Sequence, residues 1–381
     1  MSSVKHLDYL DSLRGLAALM VLAYHTALIP QPVLATPDWA SPYVHIGGIG
    51  VTLFFMVSAF SLCHTMPKHL AEKQPLLSFF LHRFFRIAPL FYFVILCTLL
   101  RDYWVFDTLH IPAKIAASFA FVFNLIPGWQ EGFVWASWTI GVEMLFYLCF
   151  PIIYWLTRTP PSATLVKSAM PKMFVAACLS WIAYELAQVV VLQSQIDEGS
   201  RKSYMLWSVF RFLPTFVFGI AVFYVIEKHK AWPRIHPSLG LLVLTVALGA
   251  GMFFGVMQNM FARDGLEGLF WQGCIFALLM VGLSINAHRL FVNRISVFYG
   301  HISYSIYLLH PTIIYLLAPT FKRIYVWVSG TPWAFFICFA LTLVIVTVLS
   351  WLTFTYIEKP SLQLGRKFYA ASQRKTPRAA H

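Results

Sequence analysis

Residues 334–356 read AFFICFALTLVIVTVLSWLTFTY, twenty-three positions without one Asp, Glu, Lys or Arg. As an α-helix rising 1.5 Å per residue this run is ~34 Å long, enough to cross the roughly 30 Å hydrocarbon core of a bilayer. Working outward from it, nine further stretches have the same character, at approximately 13–29, 46–66, 84–100, 137–156, 173–193, 208–227, 239–258, 269–287 and 298–317. An eleventh, 115–126, is shorter and runs into Asn124, Pro127 and Gly128, which marks a re-entrant or interfacial segment. The whole chain agrees with this reading: of 381 residues 59% are apolar and 11% charged, and the mean hydropathy is +0.70. Soluble domains carry about 25% charged residues, and disorder requires low hydrophobicity, so both classes are excluded. The expected fold is an all-α integral membrane protein, a bundle of about ten transmembrane helices plus the short segment.

The formal charge of +13 would suggest acidic partners in a soluble protein. In a membrane protein it first reports topology, because Lys and Arg collect on cytoplasmic loops. Ten spans put both termini on one side. With that side cytoplasmic, inner segments hold twenty of the 28 basic residues (Lys5, Arg14, Lys68, Lys73, Arg83, Arg86, Arg158, Lys167, Lys172, Lys228, Lys230, Arg234, Arg289, Arg294 and six from Lys359 to Arg378). Outer loops hold seven (Arg101, Lys114, Arg201, Lys202, Arg263, Lys322 and Arg323), and Arg211 lies within a span. The termini are therefore expected in the cytoplasm. A cleavable signal peptide over 1–29 is disfavoured by His25 within its apolar core and by Asp8 and Asp11 before it. The expected organisation is a membrane-embedded domain over 1–360 and a basic cytoplasmic tail over 361–381. The six cysteines fall singly in apolar stretches with no paired motif; they read as small core residues, and no metal is expected.

Ionisable residues inside spans are costly and are functional candidates by default. Counted along the helix rise, His25 lies ~6 Å below the outer surface, and Glu143, His310 and Glu185 ~10 Å below it. A second layer lies at the inner face. Arg14 precedes His25 by three turns, so both share one helix face about 16 Å apart. Arg83 and Arg86, at i and i+3, also share a face. Together the three arginines form a fork-shaped basic clamp suited to phosphate. A phosphorylated head at the inner end and a reactive far end beside a His describe a coenzyme A thioester. Each residue also has a plainer reading: the arginines as snorkelling interfacial anchors, the histidines as interhelical polar glue, the glutamates as neutral or paired with a helix neighbour, Arg211 being one for Glu185.

The motif residues resemble the acyltransferase 3 family of multi-pass membrane O-acyltransferases. The first span reads Ser12-Leu13-Arg14-Gly15-Leu16, with His25 eleven residues after Arg14, similar to that family's Arg, ten residues, His signature. Phe54-Phe55-Met56-Val57-Ser58-Ala59-Phe60 follows, with Ala59 where the family usually has Gly. Arg83-Phe84-Phe85-Arg86-Ile87-Ala88-Pro89 and Trp138-Thr139-Ile140-Gly141-Val142-Glu143 come next, then the run from Gly300 through Tyr304 to His310, and Tyr356-Ile357-Glu358-Lys359-Pro360. The resemblance covers nearly the whole chain in order.

What it implies is transfer of an acyl group, usually acetyl, from cytoplasmic acyl-CoA to a hydroxyl of an extracytoplasmic sugar, most often on a surface polysaccharide such as an exopolysaccharide or its lipid-linked precursor. Members with a fused hydrolase-like domain exist; this chain resembles the stand-alone type. His25 is then the expected general base or nucleophile, with Glu143 in the catalytic group, and Arg14, Arg83 and Arg86 hold acetyl-CoA. His310, Ser58, Trp138 and Tyr304 give substrate or structural support. The expected location is the cell (inner) membrane, with acyl-CoA, the sugar acceptor and membrane lipid as partners. Two alternatives stand: a transporter using buried His and Glu for proton or solute coupling, and an acyltransferase acting on a small hydrophobic acceptor. Trp104, Trp129, Trp135, Trp327 and Trp333, in loops 101–136 and 318–333, suit either sugar stacking or an interfacial aromatic belt.

Overall fold

The computed structural model describes residues 7–158, 169–229, 236–256, 266–328 and 330–375. Of the basic residues used to orient the chain, Lys5, Lys167, Lys230, Arg234, Arg263 and Arg378 lie outside the described residues. Among those described the secondary structure is helical, without strands. In chain order the helices are α1 (Asp8–Leu28), α2 (Ser41–His45), α3 (Gly50–Leu70), α4 (Pro75–Phe106), α5 (Pro112–Phe119), α6 (Trp138–Thr157), α7 (Met170–Gln193) and α8 (Glu198–Trp207). They continue as α9 (Val209–His229), α10 (Pro237–Val256), α11 (Leu266–Ile285), α12 (Arg294–His301), α13 (Ser303–Trp327), α14 (Ala334–Thr353) and α15 (Lys359–Lys375).

Seven helical runs among the described residues are long and apolar enough to cross a membrane, and an eighth is the pair α12 and α13, bent by 71° at Ile302. The other two apolar stretches of the sequence are also helices. α1 carries Asp8, Asp11 and Arg14 in its first two turns, which lowers its apolarity, and α10 has a shorter apolar run, Pro237–Phe253. The protein is thus a multi-pass membrane protein.

Local chemistry explains the helix starts. Pro75 and Pro112 occupy first positions, where the missing N–H costs nothing. Asp8 and Asp11 sit in the first turn of α1, at the positive end of its dipole. Asn293 caps α12 in a reciprocal capping box with Ser296, and the Ser296 hydroxyl donates onward to Ser12 Oγ at 3.0 Å. α1 and α12 approach closely because both contact points are glycine. A Cβ at Gly300 would lie 2.0 Å from the Asp11 carbonyl oxygen, and one at Gly15 would lie 2.5 Å from that of Ser296.

The apolar segment 115–126 is the short helix α5 followed by a 3₁₀ turn, Phe123–Leu125. Its Asn124 is buried: Nδ2 donates to the Trp207 carbonyl at 2.7 Å, and Oδ1 accepts the Val209 N–H at 2.8 Å. The side chain thereby satisfies backbone groups freed where α8 breaks before α9, as irregular backbone at membrane depth requires. Aromatic rings fill the centre, with Phe146 stacked on Phe216 at 3.8 Å and Phe55 tilted against Phe216 at 4.9 Å.

The cysteines are not uniformly core residues. Cys63 and Cys338 are buried, but Cys97, Cys149 and Cys178 are exposed. In a bilayer an outward helix face meets lipid, which accepts a weakly polar thiol, so apolar sequence context does not distinguish inside from outside. α7 is largely exposed in the same sense, with Phe174, Leu179 and Val190 facing outward. α14 continues through a π turn, Phe354–Glu358, into α15. Together they make one 40-residue helix, Ala334–Gln373, apolar in its first half and polar in its second. Its far end packs on the start of α4, where Phe368 stacks on Phe85 at 5.5 Å.

Candidate active site

Two groups of polar residues meet inside the bundle. In the first, α1 delivers His25 to α13. His310 is fully buried, and its Nε2 lies 2.9 Å from His25 Nδ1. His310 Nδ1 lies 3.1 Å from the Ile306 carbonyl oxygen, one helical turn earlier. A carbonyl only accepts, so His310 Nδ1 carries a proton. In the neutral ring Nε2 is then the acceptor, and His25 must donate from Nδ1. That tautomer leaves the lone pair of His25 on Nε2, the arrangement of a base held by an orienting partner.

The second group lines a narrow cavity of about 80 Å³ bounded by α1, α3, α4, α6 and α13. Arg14, Ser58, Arg83, Arg86, Glu143 and Tyr304 all line it. The Arg14 guanidinium donates to Asp11 Oδ1 at 2.6 Å and to Ser61 Oγ at 2.7 Å. Arg83 reaches Thr65 Oγ1 at 3.4 Å and lies 5.8 Å above the Tyr147 ring. Glu143 accepts hydrogen bonds from Ser58 Oγ at 2.5 Å and from the Tyr147 hydroxyl. The Tyr304 hydroxyl donates to the Ile87 carbonyl at 2.8 Å, which fixes α13 against α4. Three guanidiniums around one narrow space repel one another, and a bound anion relieves that repulsion.

Depth along the helix axes grouped Glu143 with the histidines. In three dimensions Glu143 opens onto the arginine cavity, because depth says nothing about which way a helix face points. The histidines do not line the cavity; Tyr307 does, and its ring is 5.7 Å from that of His310. Trp138 packs against Trp207 at 4.7 Å and Phe212 at 5.0 Å, supporting α6 without lining the cavity. Glu185 is exposed on α7. Tyr147, Ser61, Thr139 and Tyr307 also line the cavity, though none of them had been assigned a role in the site from sequence. Helical spacing carried a signal for two of them: Tyr147 lies at i+4 from Glu143 and Ser61 at i+3 from Ser58.

A membrane helix bundle that sets three arginines around one cavity, near a pair of hydrogen-bonded histidines, has the charge to receive an anion. The acyltransferase 3 family, described as an acyltransferase domain, matches residues 7–351, and the chain belongs to this family. The chain is similar to O-acetyltransferase OatA of Staphylococcus aureus, 21% identical over 399 residues that cover 97% of this chain and 59% of that protein. It is similar to peptidoglycan O-acetyltransferase OatA of Listeria monocytogenes at 22% over 387 residues, 95% of this chain and 57% of the relative. Acyltransferase MdmB of Streptomyces mycarofaciens is 31% identical over 174 residues, 42% of each chain. The chain thus spans under three fifths of the length of the two OatA relatives. No solved structure matches it.

Proposed function

We propose that the protein is a membrane O-acetyltransferase that moves an acetyl group from cytoplasmic acetyl-CoA to a hydroxyl of an extracytoplasmic sugar, on a surface polysaccharide or its lipid-linked precursor. The observation that carries this reading is the His25–His310 pair, which leaves a free imidazole lone pair next to an arginine-lined cavity. In the reaction, His25 Nε2 takes the proton of the acceptor hydroxyl as its oxygen bonds to the thioester carbonyl carbon. The C–S bond then breaks, and the proton passes to the leaving sulfur to give free coenzyme A. A placed base of this kind contributes about 10²–10⁴-fold. Arg14, Arg83 and Arg86 hold the phosphates of the donor from the cytoplasmic side.

The names of the OatA relatives support a sugar-polymer acceptor, and family membership favours transfer over transport. The protein is expected in the inner membrane with cytoplasmic termini, in keeping with the basic residues on inner segments. The test compares surface-polysaccharide acetylation by NMR in cells carrying the wild-type gene, His25→Ala or no gene. Loss of acetyl signals with His25→Ala at normal membrane level is the expected result, and retained acetylation removes His25 from the chemistry.

A further inference from the structure

The C-terminal end of α4 carries a second buried ionic group, outside the cavity and made of residues the reaction scheme does not use. Arg101 and Asp102 have side chains only 9% and 7% exposed, and their ion pair is 2.7 Å long. Arg101 Nη1 also donates to Thr312 Oγ1 on α13 at 3.0 Å. The guanidinium plane lies 4.1 Å from the centre of the Trp135 ring. Tyr315 of α13 closes the aromatic wall, 5.2 Å from Trp135 and 5.4 Å from Phe106. The other Asp102 oxygen lies 2.7 Å from His110 Nε2. One arginine therefore joins the end of α4, the connection 107–137 and α13.

Burying an ion pair gives little net stability, since desolvation offsets the attraction and a well-packed apolar residue often serves as well. What this pair provides is geometry. Arg presents five donors in a rigid planar fork, which Lys does not. The fork fastens α13 at Thr312, two positions after His310, while the Ile306 carbonyl holds the His310 ring from the preceding turn.

We propose that Arg101 is a positioning residue for acyl transfer, clamping α13 and the connection 107–137 to α4 so that His310, and through it His25, keeps its place. This rests on the transferase reading above. Misplacement of a reacting group by ~1 Å costs about 100-fold in rate.

The test uses the full-length protein in proteoliposomes with labelled acetyl-CoA as donor and peptidoglycan fragments as acceptor probe. Arg101→Lys and Thr312→Val should each lower kcat by about 10- to 100-fold, with the KM for acetyl-CoA within about twofold. Because both remove the same link, the double variant should be no slower than the worse single one. A second readout needs no turnover: the rate at which diethyl pyrocarbonate modifies His25, followed by peptide mass spectrometry with exposed His236 as internal reference. Loosening α13 should speed His25 modification at least several-fold in both variants. Wild-type kcat, or an unchanged His25 modification rate in both variants, overturns the clamp. A wild-type protein that transfers no acetyl group, while its His25 modification still responds to Arg101, overturns the transferase reading instead.

Discussion

His25 Nδ1 and His310 Nε2 stand 2.9 Å apart although 285 positions separate them in the chain. The Ile306 carbonyl decides the proton arrangement of both rings from outside the pair. His310 thus acts as a hydrogen-bond acceptor whose value lies in what it does to its neighbour.

Replacing His310 should therefore depend on whether the substitute accepts a hydrogen bond. His310→Phe removes the ring acceptor facing the His25 N–H, a loss of about 1–3 kcal/mol, and should lower acetyl transfer ~10- to 100-fold. His310→Gln, whose amide oxygen accepts, should retain more activity than Phe. Equal activity of the two variants in single-turnover transfer would contradict the acceptor role.

The arginine cavity predicts a salt-sensitive donor site. Arg83→Ala or Arg86→Ala should weaken acetyl-CoA binding about 10-fold or more, the scale of a charge-assisted hydrogen bond. The wild-type affinity should fall more steeply with ionic strength than that of either variant. Titration of the protein in nanodiscs at low and high salt checks this.

Glu143 accepts from two hydroxyls on one oxygen, so charge and hydrogen bonding are separable there. Glu143→Gln keeps an acceptor and should leave the detergent-solubilised protein nearly as stable as wild type. Glu143→Ala removes the acceptor that the Ser58 and Tyr147 hydroxyls share, leaving them only their 2.9 Å contact with each other, and should cost about 1–3 kcal/mol. Thermal unfolding monitored by intrinsic fluorescence distinguishes them. If Glu143→Gln also abolishes transfer, the negative charge itself is needed.

Glycine contacts give a structural prediction with an internal control. Gly300→Ala forces a methyl group to within 2.0 Å of backbone and should destabilise the protein by about 1–3 kcal/mol, as overpacking does. Gly249 has open space around its missing Cβ, and Gly249→Ala should be neutral. Membrane yield and thermal midpoint of the two variants provide the comparison.

Much of this was legible in the primary structure. Hydropathy located the long apolar helices because a spanning segment must be both apolar and some twenty residues long; the polar helix α15 gave no such signal. Arg14, Arg83 and Arg86 line one cavity, as their spacing on two helices suggested, whereas Ser58 and Glu143 join them there without a signal from spacing. Partner choice was not legible. That Glu143 meets Ser58 rather than a histidine, and that Arg101 is buried under Trp135 rather than solvated on a loop, depends on the rotation of each helix about its axis. In a protein whose outer surface is as apolar as its interior, the amphipathic pattern that reveals this rotation in soluble helices is weak. Exposed Cys149 and buried Cys63 sit in equally apolar sequence for the same reason.

The continuous helix Ala334–Gln373 has one further consequence. Forty residues extend ~60 Å, twice the roughly 30 Å of hydrocarbon available, so an upright helix of this length reaches beyond the hydrocarbon core. Braced against the start of α4 through Phe368 and Phe85, it forms a rigid mast beside the arginine end of the bundle. Lys359, Arg366 and Lys367 of its second half are thereby carried on a braced helix beside the segment of α4 that bears Arg83 and Arg86.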